Sequence, residues 1–255
     1  MQTKIAVAGA TGRLGRHLVD SLEARGHEVV AMARSTGVDL ITGEGLAGAL
    51  DGVEAVIDAA TGPSPDEEEA KRFFTTAARN LHEAAVGAGV QRLVVVSIVG
   101  IDRLGSGYNA GKVVQERLTL DGPIPARILR ATQFHEFVGE IVDWGRQGDV
   151  SYVPKMRTQL VAARTVAEAL AELVMEPAPG PTLEIAGPRE ESMVEAARLL
   201  MARRGDPVRI EGVTWDERYE AGAALPGPDA TLAGPTFEEW LDERSPAPAG
   251  LSESG

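Results

Sequence analysis

The chain has 255 residues, 44% hydrophobic and only 4% aromatic, with a formal net charge of −13 and no cysteine. That length suits one large domain, or one domain with a small appendage, whose core is filled by Ala, Val, Leu and Ile. The charge argues against nucleic acid and anionic membrane surfaces, and zero cysteines exclude disulfides, thiolate metal sites and a Cys nucleophile.

The N-terminal MQTKIAVAGATGRLG holds too short an apolar stretch for a signal peptide. The longest apolar run, LVVVSIVGI at 93–101, is too short to cross a bilayer, so a soluble cytoplasmic protein is expected. In chain order, 4–9 reads as a buried strand, and 12–25 as a helix with Leu14, Leu18, Val19 and Leu22 on one face and Gly26 at its end. Strands follow at 27–34 and 37–41, a short helix at 44–50, and a strand at 53–60. A long helix, about 65–87, opens on acidic DEEE, which suits the positive end of a helix dipole. Then come the most apolar strand (91–98), a helix (108–120) and a strand (126–131). A helix at 164–177 and a strand at 182–187 return to the same sheet.

This βαβ alternation predicts an α/β fold: a Rossmann-type, doubly wound parallel sheet of order 3-2-1-4-5-6-7, carrying a small C-terminal substrate lobe. The expected domains are 1–149, with 165–187 rejoining its sheet, then a lobe from 150–164 and 188–243, then a disordered tail, 244–255. The Gly-, Pro- and Ala-rich stretch 222–235 reads as a loop free to act as a lid.

Gly9, Gly12 and Gly15 follow the first strand and open the first helix, where a dinucleotide needs a tight turn, close backbone approach and an uncapped helix N-terminus. Thr11, Arg13 and Leu14 lie in the same loop, and Ala59 and Ala60 end the strand beside it. The position usually held by an acidic residue that binds the ribose 2′-OH is Arg34 here, followed by Ser35. A guanidinium pairs with a 2′-phosphate, so NADP(H) is expected over NAD(H); the alternative is a solvated strand end. Arg13 is a second candidate for that phosphate. Asp39 is either an adenine partner or a turn residue.

Tyr108 and Lys112, in GSGYNAGK, stand four apart and so share a helical face directly after the apolar strand. A nearby ammonium favours the phenolate and would lower the pKa of the Tyr hydroxyl. Gly111 between them costs a helix about 1 kcal/mol relative to Ala. Thr132, Gln133, Phe134 and His135 leave the strand at 126–131 on the edge where open α/β sheets bind ligands. His135 is either a second acid–base group or a helix-end residue bonded to backbone. Phe134, Phe137 and Trp144 form a helical stripe, with Tyr152, Met156 and Trp215 as candidates for an opposite wall. His17, His27 and His82 show no ligand clustering, and no metal is expected.

The GATGRLG loop together with the Y-x-x-x-K pair resembles the atypical and extended short-chain dehydrogenase/reductases, more narrowly their NmrA-like branch, over at least residues 3–187. The resemblance implies that Tyr108 exchanges a proton, that Lys112 also holds the nicotinamide ribose, and that Ser97 polarises a substrate carbonyl. It implies a bracing role for Asn80. The function expected is an NADP(H)-dependent oxidoreductase acting on a carbonyl, enone or quinone-like molecule. The alternative is a non-catalytic NADP-binding redox sensor. The expected partner is an uncharged, apolar or aromatic small molecule, with the chain a monomer or homodimer.

Overall fold

The computed structural model describes residues 2–175 and 180–244. The chain runs β1 (Lys4–Ala8), α1 (Arg13–Ala24), β2 (Glu28–Met32), α2 (Leu46–Ala49), β3 (Ala55–Asp58), α3 (Glu67–Gly87) and β4 (Arg92–Ile98). It continues through α4 (Tyr108–Leu120), β5 (Ala126–Ala131), α5 (Phe137–Trp144), β6 (Arg146–Gln147), β7 (Val150–Pro154), β8 (Arg157–Thr158) and α6 (Ala163–Leu173). The remainder is β9 (Thr182–Ala186), β10 (Glu191–Ser192), α7 (Met193–Arg204), β11 (Arg209–Val213), α8 (Glu217–Glu220), β12 (Thr231–Leu232) and α9 (Phe237–Arg244).

Seven strands form one wholly parallel sheet, order β12-β9-β5-β4-β3-β1-β2. Such a sheet must be covered on both faces, which is why its strands read as continuous apolar runs. On one face α1 and α6 bury Leu14, Leu18, Val166 and Leu170 against Ile5, Val7 and Ile57. On the other, Leu46, Leu50, Leu81 and Ala85 cover Ala6, Val56 and Val95. The long α3 starts where Asp66 accepts from Glu69 N at 3.0 Å, with Glu67, Glu68 and Glu69 in its first turn.

The strand expected at 37–41 does not form. Gly37, Gly43 and Gly45 adopt φ of 80°, 78° and 75°, and Asp39 Oδ1 accepts from Ile41 N at 2.7 Å, so this segment is a folded loop. Asn80 donates to the Leu40 and Ile41 carbonyls at 2.8 and 2.9 Å, bracing that loop rather than a strand. The sheet gains its seventh strand at the opposite edge, where β12 pairs with β9.

A third core lies outside the sheet. Val138, Ile141 and Val142 of α5, Val153 of β7, Leu200 and Met201 of α7, Ile210 of β11, and Phe237 and Leu241 of α9 pack together. β11, β7 and β6 make a three-stranded sheet, and β10 pairs with β8. The tail expected to be disordered falls outside the described residues except for Arg244, which ends α9.

Candidate dinucleotide site

The loop between β1 and α1 is built around its glycines. Gly9 has φ 75°, and a Cβ there would lie 2.7 Å from the Ala59 carbonyl oxygen. A Cβ on Gly15 would stand 2.1 Å from Gly9 O. No side chain at either position is compatible with this turn. Gly12 is the N-cap of α1 and offers no side chain to its first turn, which also holds no acidic residue. The loop thus presents uncapped N–H groups and a positive dipole end, the arrangement that holds a diphosphate. These residues fit a dinucleotide. Ala59 and Ala60 are buried against the same turn, and Thr11 is exposed on it.

Arg34 and Ser35 lie exposed in a short 3-10 turn after β2, and no side-chain partner of Arg34 exists among the described residues. Arg13 does not join them. Its guanidinium pairs with Glu140 of α5. Asp39 is spent on its own turn, also accepting from Thr42 N at 3.3 Å.

Tyr108 opens α4, and its ring meets Phe74 edge-on at 5.4 Å between centroids. Its hydroxyl oxygen lies 3.4 Å from Gly62 N, which donates to it. Lys112 shares that face, with Nζ 4.8 Å from the Phe74 centroid. The ammonium is buried: it donates to the Val96 carbonyl at 2.7 Å and to Gln115 Oε1. Two of its three N–H groups are thereby used. The expected lowering of the Tyr108 pKa is not found. Burial raises it to about 12, with the Asp58 carboxylate adding to the rise. Burial pushes Lys112 down to about 8, against the opposing pull of Asp58 and Glu116.

Ser97, one residue from the end of β4, is 3% exposed and its Oγ has no hydrogen-bond partner. An orphan hydroxyl at a ligand-binding sheet edge fits a group that accepts from it. Thr132 Oγ1 donates to the Gln159 carbonyl at 2.5 Å, and Gln133 accepts from Thr158 Oγ1. These two side chains tie β5 to the segment after β7, so neither is free for a ligand as expected. Phe134 packs into the core beside α1 and α6 and bridges Val161.

His135 is sealed beneath α9. Its Nε2 lies 3.1 Å from the Leu160 carbonyl, and its ring sits between Phe237 at 5.4 Å and Trp240 at 5.3 Å. At 1% exposure, and with burial driving its pKa down to about 4, it is a neutral core residue, not an acid–base group. Of the expected walls, Met156 lines a cavity of about 510 Å³ with Lys155, Arg157, Ser192, Arg198 and Glu220. Trp144 and Trp215 are 66% and 54% exposed, and Tyr152 is half-buried.

Two residues that sequence reasoning did not single out sit at the centre of this geometry. Asp58 ends β3, and Gln115 stands one turn beyond Lys112; both are buried. The available signal was a carboxylate closing the otherwise apolar strand AVID.

Residues 9–119 match the NAD(P)H-binding family model. Photosystem II assembly factor Ycf39 of Synechocystis sp. is 32% identical over 110 residues, covering 38% of this chain and 34% of that protein. A 3-diazoavenalumate denitrifying reductase of Streptomyces is 36% identical over 118 residues, covering 37% of this chain and 38% of that one. The match therefore spans little more than a third of either curated relative. The fold is shared with a dTDP-4-dehydrorhamnose reductase of Clostridium acetobutylicum (TM-score 0.74, 17% identity, 94% of this chain and 98% of that one). The Bacillus anthracis enzyme of that name, in complex with NADP, gives 0.72 at 18% identity over 95% and 98% of the two chains. MoeE5 in complex with UDP-glucose and NAD gives 0.72 at 20% identity over 94% and 99%. The fold is thus Rossmann-type, shared with these solved structures, and the NAD(P)H-binding match falls on its first half. Among the described residues no helix is long and apolar enough to cross a membrane, and no cluster of three metal-ligating side chains occurs.

Proposed function

We propose that this chain is an NADP(H)-dependent reductase with Tyr108 as its proton donor. The observation that carries this is the conjunction of a glycine loop shaped for a dinucleotide with a half-buried, protonated Tyr108 at the start of α4 and an unpartnered Ser97 near the end of β4. The loop from Gly9 to Gly15 and the start of α1 hold the diphosphate; Arg34 pairs with the 2′-phosphate. The dinucleotide, when bound, supplies hydride to the substrate carbon. Ser97 donates a hydrogen bond to the substrate oxygen. Tyr108 hands its proton to that oxygen as negative charge develops there, and the tyrosinate is reprotonated from solvent. A neutral phenol is the correct starting state for this step. A pKa of about 12 still makes it a stronger acid than the alcohol it forms.

A second reading concerns substrate charge. The structural neighbours named above include a UDP-glucose complex and dTDP-4-dehydrorhamnose reductases. The 510 Å³ cavity here presents Lys155, Arg157 and Arg198 against Glu220. Its wall connects to the site through α8, because Asn109, next to Tyr108, hydrogen-bonds Tyr219. Arg157 and Arg198 are paired with Glu190 and Glu195, so Lys155 is the cation of that lining through which an anionic small molecule would be held in place of the uncharged one expected from composition.

The test pairs NADPH and NADH calorimetry with NADPH oxidation over carbonyl, quinone and sugar-nucleotide panels. Tyr108→Phe is expected to keep NADPH binding and to lose turnover by roughly a hundredfold or more. Wild-type turnover in Tyr108→Phe would overturn the assignment. Tight NADPH binding without turnover on any panel member would favour the redox-sensor alternative.

A further inference from the structure

All four residues of β3 are buried, and the last is Asp58. A carboxylate in that position must be hydrogen-bonded to be tolerated. Its Oδ1 accepts from Ala60 N at 3.0 Å and its Oδ2 accepts from Gln115 Nε2 at 2.7 Å. Gln115 Oε1 accepts in turn from Lys112 Nζ. The amide has only one workable orientation: its NH₂ must face the acceptor-only carboxylate, and its oxygen must face the donor-only ammonium. A carboxylate–amide–ammonium chain therefore runs under α4, from the end of β3 to the turn below Tyr108.

We propose that Asp58 and Gln115 are positioning residues that keep the Lys112 ammonium charged inside the protein and hold its remaining N–H ready for the bound dinucleotide. This rests on the dinucleotide reading above. An isolated ammonium at 4% exposure would shed its proton. The groups facing Lys112 are Asp58 from β3, Gln115 and Glu116 from α4, the Val96 carbonyl from β4 and the Phe74 ring from α3. Asp58 and Glu116 both favour the charged form, and burial opposes them. At Asp58 burial pushes the carboxyl pKa up, and Lys112, the Ala60 N–H, Gln115 and, most weakly, His82 of α3 oppose that rise. Gln115 couples the two charges without letting them touch, which leaves the ammonium a donor to spare.

Asp58→Asn preserves the shape and removes the charge. Losing an anion beside a cation makes the cation easier to deprotonate. NADPH affinity, which should weaken in the wild type as pH rises past about 8, is expected to weaken about one pH unit lower in Asp58→Asn. Gln115→Met should move the limb the same way and weaken binding at neutral pH. A readout independent of cofactor is available because the chain has only four lysines. The ¹³Cε resonance of Lys112 should titrate near pH 8 in the wild type and lower in Asp58→Asn. A wild type that binds no dinucleotide would sink the functional reading yet leave this titration to judge the network. A Lys112 midpoint well below neutral pH in the wild type, which would mean a neutral amine, or one equal in wild type and Asp58→Asn, overturns the proposal. The wild-type measurement stands even where a variant fails to fold.

Discussion

Gly111 of α4 lies flat against Ala70 of α3: a Cβ at 111 would stand 2.7 Å from the Ala70 carbonyl carbon and 2.8 Å from Phe74 Cδ2. This contact explains a glycine one position before Lys112 in a helix that would gain about 1 kcal/mol from Ala there. The neighbour is backbone and cannot step aside. Gly111→Ala should therefore be net destabilising, by about 1–2 kcal/mol, because overpacking of roughly 1–3 kcal/mol outweighs the propensity gain. It should also disturb Phe74, against which both Tyr108 and Lys112 rest. Urea denaturation of the two proteins decides the point; a variant at least as stable as wild type would contradict the close approach.

Arg34 stands alone where a 2′-phosphate would lie, since Arg13 is committed to Glu140. NADPH should bind at least tenfold tighter than NADH, as one charge-assisted pair is worth ~1.5–3 kcal/mol. Arg34→Ala should erase most of that preference, while Arg13→Ala should leave the NADPH/NADH ratio nearly unchanged. Calorimetry with both cofactors checks it. A ratio indifferent to Arg34 but sensitive to Arg13 would reverse the assignment.

The division between these two arginines was not legible in the sequence, where both sit near the same expected phosphate. Loop residues are aimed by distant elements, and Glu140 is 127 positions away from Arg13. Strands buried on both faces were legible because each is a near-continuous apolar run. The run at 37–41 misled because GVDLI resembles a strand. Its flanking glycines at positive φ and the Asx turn of Asp39 take precedence over the apolar side chains. β12 was invisible for the opposite reason. It is two exposed residues, Thr231 and Leu232, made a strand only by pairing at the sheet edge. Tyr108 and Lys112 could be found by spacing; Asp58 and Gln115 could not, because what ties them to Lys112 is tertiary.

His135 supplies a pH signature of its own. Burial lowers its pKa from 6.5 to about 4 in the folded chain. A depressed folded value means that the unfolded chain takes up the proton first, so stability falls as pH drops from about 6.5 towards 4 and levels off below. The full effect is on the order of 3 kcal/mol. His135→Leu should flatten that limb of a stability-versus-pH curve, although it also loses the contact with the Leu160 carbonyl. Parallel limbs in wild type and variant between those two pH values would show that His135 is not the buried neutral group.

The stretch 222–235 is held more firmly than its composition suggests. Arg103, in the loop between β4 and α4, donates through Nε to the Ala223 carbonyl at 3.1 Å and through Nη2 to that of Leu225 at 2.8 Å. Arg218 Nη1 donates to the Arg103 carbonyl at 2.8 Å, and Glu184 accepts from Gly227 N at 2.6 Å. Ala224 is fully buried, and Ala233 N donates to the Ala186 carbonyl at 2.9 Å. A segment fastened at 223, 225, 227 and 233 does not open cheaply as one lid. Its amides at Ala223, Leu225 and Gly227 should already be protected from hydrogen exchange without ligand. Arg103→Ala removes two hydrogen bonds worth ~1 kcal/mol each, so exchange at Ala223 and Leu225 should quicken by about tenfold or more. Ala233, held by the sheet, should not change. Because Arg103 lies between Ser97 and Tyr108, the same variant should lower turnover if this clasp steadies the site loop. Free exchange across 223–227 in the ligand-free wild type, with protection appearing only once NADPH and substrate are both bound, would instead restore the moving lid.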